Sequence, residues 1–283
     1  MKTKSIKDHF KEYFEKHKQR LDLNYPGIQF SRFIEEYCEY DNSKPDDIYV
    51  MQNPGFFEKL AQGVPLEYMN FKSYFYKQEF YVNKDVLIPR SETEILCEKA
   101  IEFINSNYHD NFSIIDIGTG SGIIPLTIAT EIKNKLKIIA TDISSSALEV
   151  ANINYDNLFS QIPITTRIEF ENRDRLFGVE DKFDLIVSNP PYIKEITDRE
   201  LVHPQAEMHE PHLALFLSDE TYDAWFDTLF MQTANCLKES GIFMMEGHEH
   251  HLENQKKQAQ KYYSSVEIVK DYTQRYRFLI CKR

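Results

Sequence analysis

After Asn111 the chain repeats one pattern: a short β-branched apolar run, a turn, and a longer helical stretch. The runs fall at 112–117, 137–142, 166–171, 183–188 and 241–246. Their length and the turn residues around them read as strands. Helices are expected at 122–133, 145–157, 221–238 and 250–263. A helix between strands supplies the crossover length that a parallel pair needs, so the expected architecture is α/β, a mostly parallel sheet with helices on both faces. The tail breaks the rule. Stretches 266–269 and 276–281 are strand-like, with only a short polar turn between them. They must pair antiparallel or lie apart, which makes a seven-stranded sheet with one reversed strand near its end.

The chain before this alternation is of a different kind. Residues 1–65 read as a small helical domain. Ile6, Phe10, Tyr13, Phe14 and Leu21 recur mostly at three- and four-residue steps, and Phe30, Phe33, Ile34, Tyr37 and Cys38 repeat the pattern. Asn53-Pro54 suits the start of a third helix and Gly63 its end. Residues 66–90 read as a linker with a β-hairpin, in which Phe75-Tyr76 and Phe80-Tyr81-Val82 flank the polar Lys77-Gln78-Glu79. Ser91 and Glu94 have the spacing of a capping box, opening a helix over 92–107 and a second domain over 91–283.

Composition narrows the partners. Acidic residues number 45 against 33 basic ones, a formal net charge of -12, which argues against extended contact with a phosphate backbone and hence against direct nucleic-acid binding. Cys38, Cys97, Cys236 and Cys281 are far apart and form no metal-type pair, as in reduced core thiols of a cytoplasmic protein. The polar start leads into no signal-type apolar region, and no run reaches membrane-spanning length.

Two stretches carry chemistry. In Ile114-Ile115-Asp116-Ile117-Gly118-Thr119-Gly120-Ser121-Gly122 a strand runs into a glycine-rich turn and then a helix. Glycines there allow positive φ and close approach of a ligand. The spacing is GxGxG, and Ile123 sits where a dinucleotide fingerprint would need its third glycine. No phosphate-loop Gly-Lys-Ser/Thr follows, and no basic residue is near in sequence. A nucleoside carrying an amino acid fits better than a pyrophosphate. Asp142, ending the next strand, has the place of a ribose-binding acid; otherwise it caps the helix, a task that Ser144 can perform. Asp174, after the third strand, is either an acceptor for an adenine amino group or a solvated loop acid. In the second stretch, Ser188-Asn189-Pro190-Pro191-Tyr192 follows the run 183–187. Two prolines cannot continue a central strand, so the chain leaves the sheet at Asn189. An amide, carbonyls without local donors and an aromatic ring remain. Together they can hold a planar NH2 group.

These pieces resemble the Rossmann-like S-adenosylmethionine-dependent methyltransferases. Within that class the chain resembles the HemK/PrmC family, the release-factor glutamine N5-methyltransferases. Residues 87–94, Leu-Ile-Pro-Arg-Ser-Glu-Thr-Glu, match the family's LIPRPETE with Ser91 in place of a proline, and 183–193 match its FDLIVSNPPYI. His209-Glu210-Pro211 with Ala214-Leu215, and 241–247, match further segments, whereas 271–277 matches only loosely. The resemblance implies S-adenosylmethionine as cofactor, held by Gly118, Thr119, Gly120, Gly122, Asp142, Asp174 and Asn189. It implies methylation of the glutamine in the Gly-Gly-Gln motif of peptide chain release factors by a monomeric enzyme. The acceptor amide would meet Asn189, Pro190, Pro191 and Tyr192. The Asn189 side chain and the Pro190 carbonyl would take its NH2, the Asn189 NH2 would face its carbonyl, and Tyr192 would pack against it. The helical domain and the loop 203–211 are expected to wall a cleft for a protein loop.

Two other readings compete. A base-amine methyltransferase could share the Asn-Pro-Pro-Tyr loop, but it should carry a basic stripe. A non-catalytic binding protein of the same fold has no need to keep Gly118, Gly120, Gly122, Asp142 and Asn189 together. No metal is expected: His248, His250 and His251 lack a metal-site spacing and read as a polar loop and helix start, as do His203, His209 and His212.

Overall fold

The computed structural model describes residues 4–47, 49 and 54–283. The chain forms two compact units. One comprises Met1–Lys72 and Val202–Glu210, the other Ser73–Leu201 and Pro211–Arg283. The stretch 66–90 therefore divides between them.

The first unit contains helices α1 (Ile6–Asn24), α2 (Phe30–Tyr40), α3 (Pro54–Gln62) and α4 (Leu66–Asn70). Ser5 starts α1 by accepting the Asp8 N–H at 3.1 Å. Ile6, Phe10 and Leu21 bury one face of α1 in a core with Phe33, Tyr37 and Phe56. The rings meet edge-on, Phe10 to Tyr37 at 5.1 Å and Tyr37 to Phe56 at 5.2 Å. Gly63, at φ +79°, lets the chain turn away after α3. The cap read at Asn53 lies outside the described residues. The short helix Pro204–His209 belongs to this unit: Gln205 Nε2 donates to Gly63 O at 2.9 Å, and His209 Nε2 lies 3.2 Å from Gln62 O.

The second unit begins at Ser73, inside a hairpin of β1 (Lys72–Phe75) and β2 (Gln78–Tyr81). Its turn is Tyr76-Lys77, at φ +46° and +70°, not the three polar residues expected. A two-residue turn with both φ positive matches strand twist, so Gln78 and Glu79 return to the strand. The capping box also fails. Ser91 is the first residue of α5 (Ser91–Asn107), no side chain caps that helix, and Glu94 instead accepts the Tyr76 N–H at 3.0 Å. A distant donor outcompetes the local one.

Then follow β3 (Phe112–Ile117), α6 (Ile123–Glu131), β4 (Leu136–Asp142), α7 (Ser145–Leu158), β5 (Arg167–Asn172) and β6 (Phe183–Ser188). The last elements are α8 (Tyr222–Cys236), β7 (Leu237–Glu246), α9 (Leu252–Ala259), β8 (Ser265–Lys270) and β9 (Tyr276–Lys282). The seven strands lie in the order β8-β9-β7-β6-β3-β4-β5. β9 runs antiparallel to both neighbours, and the pairs from β7 to β5 are parallel. The sheet is thus seven-stranded with one reversed strand. β7 begins at Leu237 rather than Gly241, and its register against β6 shifts between Phe183 and Leu185. Gly241 fits there because a Cβ would lie 2.9 Å from Phe183 O.

Successive residues alternate between two cores. Ile114, Leu185, Val187 and Met244 face Leu96 and Ala100 of α5 and Leu126 of α6. Ile115, Ile186, Phe243 and Met245 face Phe226 and Phe230 of α8 and Leu252 of α9. Burial on both sides is why these strands read as continuous apolar runs. Each such side chain contributes about 1.5–3 kcal/mol relative to exposure. Among the described residues, no helix is long and apolar enough to cross a membrane.

Candidate active site

β4 lies on one side of β3 and β6 on the other, so the strand order changes direction at β3. A crevice opens at the carboxyl ends of strands at such a point. A cavity of about 310 Å³ lies here, at the small end of ordinary ligand sites. Gly118, Thr119, Gly120, Asp142, Asp174, Asn189, Pro190 and Pro191 line it; Gly122 and Tyr192 do not.

The glycine turn follows β3. Gly118, Gly120 and Gly122 have φ of +73°, +55° and +80°. A Cβ on Gly118 or Gly120 would meet no atom within 4 Å, so both leave room on the cavity side. Gly122 differs. A Cβ there would lie 3.1 Å from Leu126 and 3.2 Å from Ala151, so this glycine serves helix packing. Four of the turn's N–H groups are already engaged. Gly118 and Thr119 donate to Thr141 O at 2.8 and 2.9 Å, Gly122 to Thr119 O at 2.9 Å, and Gly120 to Asp142 Oδ2 at 2.9 Å. Four donors that might have cradled a phosphate therefore face inward.

Asp142 is held from two sides, its Oδ1 accepting the Ser144 N–H at 2.9 Å. Ser144 is the helix cap, its Oγ accepting from Ala147 N at 3.2 Å. Burial pushes the Asp142 carboxyl above its usual range, and the N–H groups of Ser144, Gly120 and Ile143 hold it back. Asp174 is half exposed and forms an ion pair with Arg175, Nε to Oδ1 at 2.9 Å. The Arg175 guanidinium lies 5.1 Å over the Trp225 ring.

Basic residues are closer than the sequence suggested. Lys84, Arg90, Arg173 and Arg175 also line the cavity. Arg173 pairs with Glu171 at 2.7 Å and Arg175 with Asp174, so these two charges are already met. The case against a pyrophosphate rests on the inward N–H groups.

Beneath the loop after β6, Asn189 Nδ2 donates to Thr93 Oγ1 at 3.1 Å. Thr93 donates to Glu246 Oε2 at 2.7 Å, and Tyr192 Oη donates to Glu246 Oε1 at 3.0 Å. Tyr222 Oη donates to Tyr192 O at 2.9 Å. The Tyr192 hydroxyl is raised in pKa by burial and the Glu246 charge, so it stays a neutral donor. Tyr192 thus fastens the loop through its hydroxyl, and it is not among the residues that line the cavity. Thr93, Glu246 and Tyr222 escaped the sequence reading, although Thr93 stands within the 87–94 motif.

The histidines settle elsewhere. His251 precedes α9 and pairs with the buried Asp198 at 2.5 Å. His248 stands 6.3 Å from the Tyr192 ring, its pKa lowered by burial and by His250 and His251 beside it. His203 caps its short helix through Nδ1, and His212 lies 3.4 Å from Glu195. Among the described residues no group of three or more His, Cys, Asp or Glu is placed to hold a metal.

The cavity offers carboxylates for hydroxyls and amines, room beside two glycines, and few outward donors for phosphate. Asp116, two residues before the glycine turn, and Thr119 Oγ1 are buried without a hydrogen-bond partner among the described residues. These features fit an adenosine joined to an amino acid.

Comparison with known proteins agrees. Residues 108–279 match a family described as Methyltransferase domain. A release factor glutamine methyltransferase from Chlorobaculum tepidum is 32% identical over 228 residues, covering 78% of this chain and 75% of that protein. One from Streptococcus pneumoniae is 34% identical over 227 residues, covering 80% and 74%. The hMettl16 catalytic domain in complex with MAT2A 3'UTR hairpin 6 has a TM-score of 0.55 at 14% identity, covering 91% of this chain and 93% of that one, a likeness of fold alone. With two such relatives across most of its length, the chain belongs to the family of release factor glutamine methyltransferases.

Proposed function

We propose that the chain transfers the methyl group of S-adenosylmethionine to the side-chain amide nitrogen, N5, of the glutamine in the Gly-Gly-Gln motif of peptide chain release factors. One observation carries this reading to the site: Asn189 and Pro190 line the same cavity as Gly118, Gly120 and Asp142. S-adenosylmethionine, when bound, supplies a methyl group on a sulfonium, an already activated leaving group. Asp142 would accept the ribose hydroxyls, and Asp174 the adenine amino group. Asn189 Oδ1 and the Pro190 carbonyl would accept the two N–H groups of the substrate amide. That grip orients a poor nucleophile in line with the methyl–sulfur bond. Orientation of this kind can supply about 7–11 kcal/mol of the barrier. The proton leaves to water after transfer. Tyr192 holds the loop in place through Glu246.

Recognition of the rest of the release factor is assigned to the helical unit, which has its own core. Deleting residues 1–65 would strip Gln205 and His209 of the partners Gly63 O and Gln62 O. Alanine at exposed positions of α1 and α2 is the cleaner probe. It should raise KM for the intact factor and leave that for a short Gly-Gly-Gln peptide unchanged. Work on such a substrate takes place in the cytoplasm, where the buried Cys38, Cys97, Cys236 and Cys281 remain thiols.

The direct test uses labelled S-adenosylmethionine with a purified release factor, and in parallel with an oligonucleotide. Label on the motif glutamine, lost in Asn189→Ala by about 10²–10³-fold in kcat with unchanged cofactor affinity, is the expected result. Label on the oligonucleotide alone would overturn it.

A further inference from the structure

The hydrogen bonds under Asn189 have a direction. Asn189 donates to Thr93, and Thr93 donates to Glu246 Oε2, while Tyr192 donates to Glu246 Oε1. Thr93 is fully buried and Glu246 is 1% exposed. Both oxygens of one buried carboxylate are thus taken by hydroxyl donors. A carboxylate can only accept, and a threonine hydroxyl has one proton. Once that proton goes to Glu246, the Thr93 oxygen can only accept from its other neighbour. Asn189 must turn its NH2 toward Thr93, and its Oδ1 is left for the cavity that Asn189 lines.

We propose that Glu246 and Thr93 are positioning residues that fix the polarity of the Asn189 amide, so that the loop selects an acceptor group bearing N–H donors. This rests on the reading of Asn189 given above and deepens it. It reverses the sequence expectation for the Asn189 NH2, which is committed to Thr93 instead of to a substrate carbonyl.

The placement has structural causes. Glu246 ends β7, paired with Phe278 of β9, and Thr93 sits in the first turn of α5, its N–H on Arg90 O at 3.1 Å. Burial raises the Glu246 pKa, whereas Thr93, the charge of Arg277 and Tyr192 lower it. With the Thr93 and Tyr192 hydroxyls donating to Oε2 and Oε1, the hydrogen-bond pattern is that of a carboxylate accepting on both oxygens. A neutral amide at position 246 would remove the direction. Its NH2 could donate to Thr93, whose proton could then turn to Asn189 Oδ1, and the asparagine would present the wrong end.

Three variants test this, each measured for release-factor methylation, S-adenosylhomocysteine affinity and thermal stability. Glu246→Gln keeps volume and hydrogen-bonding capacity but loses the direction. Thr93→Val keeps shape and loses both bonds. Thr93→Ser keeps the hydroxyl. The first two should lower kcat by roughly 10- to 100-fold, as loss of an orienting partner commonly does. KM and cofactor affinity should stay within about threefold. Thr93→Ser should recover most of the loss. Wild-type kcat in Glu246→Gln overturns the proposal, provided that Asn189→Ala is inactive. If Asn189→Ala were as fast as wild type, the reading of Asn189 itself would have failed and the proposal with it. A neutron structure of the wild-type protein needs no substitution to fold. Deuterons on Asn189 Nδ2 directed at Thr93 support the proposal, and deuterons directed at the cavity overturn it.

Discussion

Asp116, next to the glycine turn, allows a stability prediction with a worked magnitude. It has no exposed surface, and neither carboxylate oxygen has a hydrogen-bond partner among the described residues. Burial pushes its pKa from 3.8 up to about 7; the nearby Thr119 hydroxyl eases this and the Asp142 charge adds to it. The folded chain therefore holds a proton that the unfolded chain releases between these two values. Stability is lost as pH rises through that window and levels off above it. With 1.36 kcal/mol per pKa unit, the loss is about 1.7 kcal/mol at pH 5 and about 4.3 kcal/mol at pH 8. Asp116→Asn keeps the shape and cannot ionise. Any penalty for the buried amide is a constant offset. The stability of Asp116→Asn relative to wild type should thus rise by about 2.6 kcal/mol from pH 5 to pH 8. Urea unfolding followed by tryptophan fluorescence reads this, because the single tryptophan is Trp225, in α8 of the same unit. Titrating groups that do not interact with Asp116 are common to both proteins and cancel. If the two stability curves ran parallel between pH 5 and pH 8, the carboxyl would not be titrating in that range and the reasoning would be refuted.

Other substitutions separate the roles of neighbouring positions. Asp142→Ala should weaken S-adenosylhomocysteine by at least about tenfold in calorimetry, since bonds to a charged acceptor contribute roughly 1.5–3 kcal/mol each. Undiminished affinity would remove Asp142 from the site. Gly122→Ala should destabilise the chain by about 1–3 kcal/mol, from a left-handed backbone and contacts at 3.1 and 3.2 Å. Because Gly122 is not in the cavity wall, its cofactor affinity at a temperature where it stays folded should remain near wild type.

Much of the sheet was legible because its chemistry is local. β3 and β6 are buried on both faces, so apart from Asp116 and Asp184 their residues are apolar or small, and each strand announced itself in six residues. The reversed strand was legible from connection length alone. The glycine turn and Asn189 were found because turns and double prolines have few structural explanations. What stayed hidden depends on partners far along the chain. Thr93 and Glu246 are 153 residues apart, and no periodicity marks either one. Ser91 and Glu94 had the spacing of a cap, yet the hairpin supplied a stronger claimant in Tyr76. Asp174 stood as an acceptor for an adenine amino group or a solvated loop acid, and the structure shows it held in an ion pair with Arg175.

The inward-facing N–H groups of the glycine turn have a consequence for selectivity inside a cell. Adenosine is shared by many abundant metabolites, and most of them carry it on phosphates. An open turn would welcome any of these as a competitor for the site. Here Gly118, Thr119, Gly120 and Gly122 have donated to Thr141, Asp142 and Thr119 itself before a ligand arrives. A phosphate brought to this wall meets no donor from those four, and it meets the Asp142 carboxylate, whose charge repels it. Each missing charge-assisted bond forgoes about 1.5–3 kcal/mol. The turn thus denies common nucleotides the backbone grip of those four positions without a clash or a gate, through hydrogen bonds that the fold had already made.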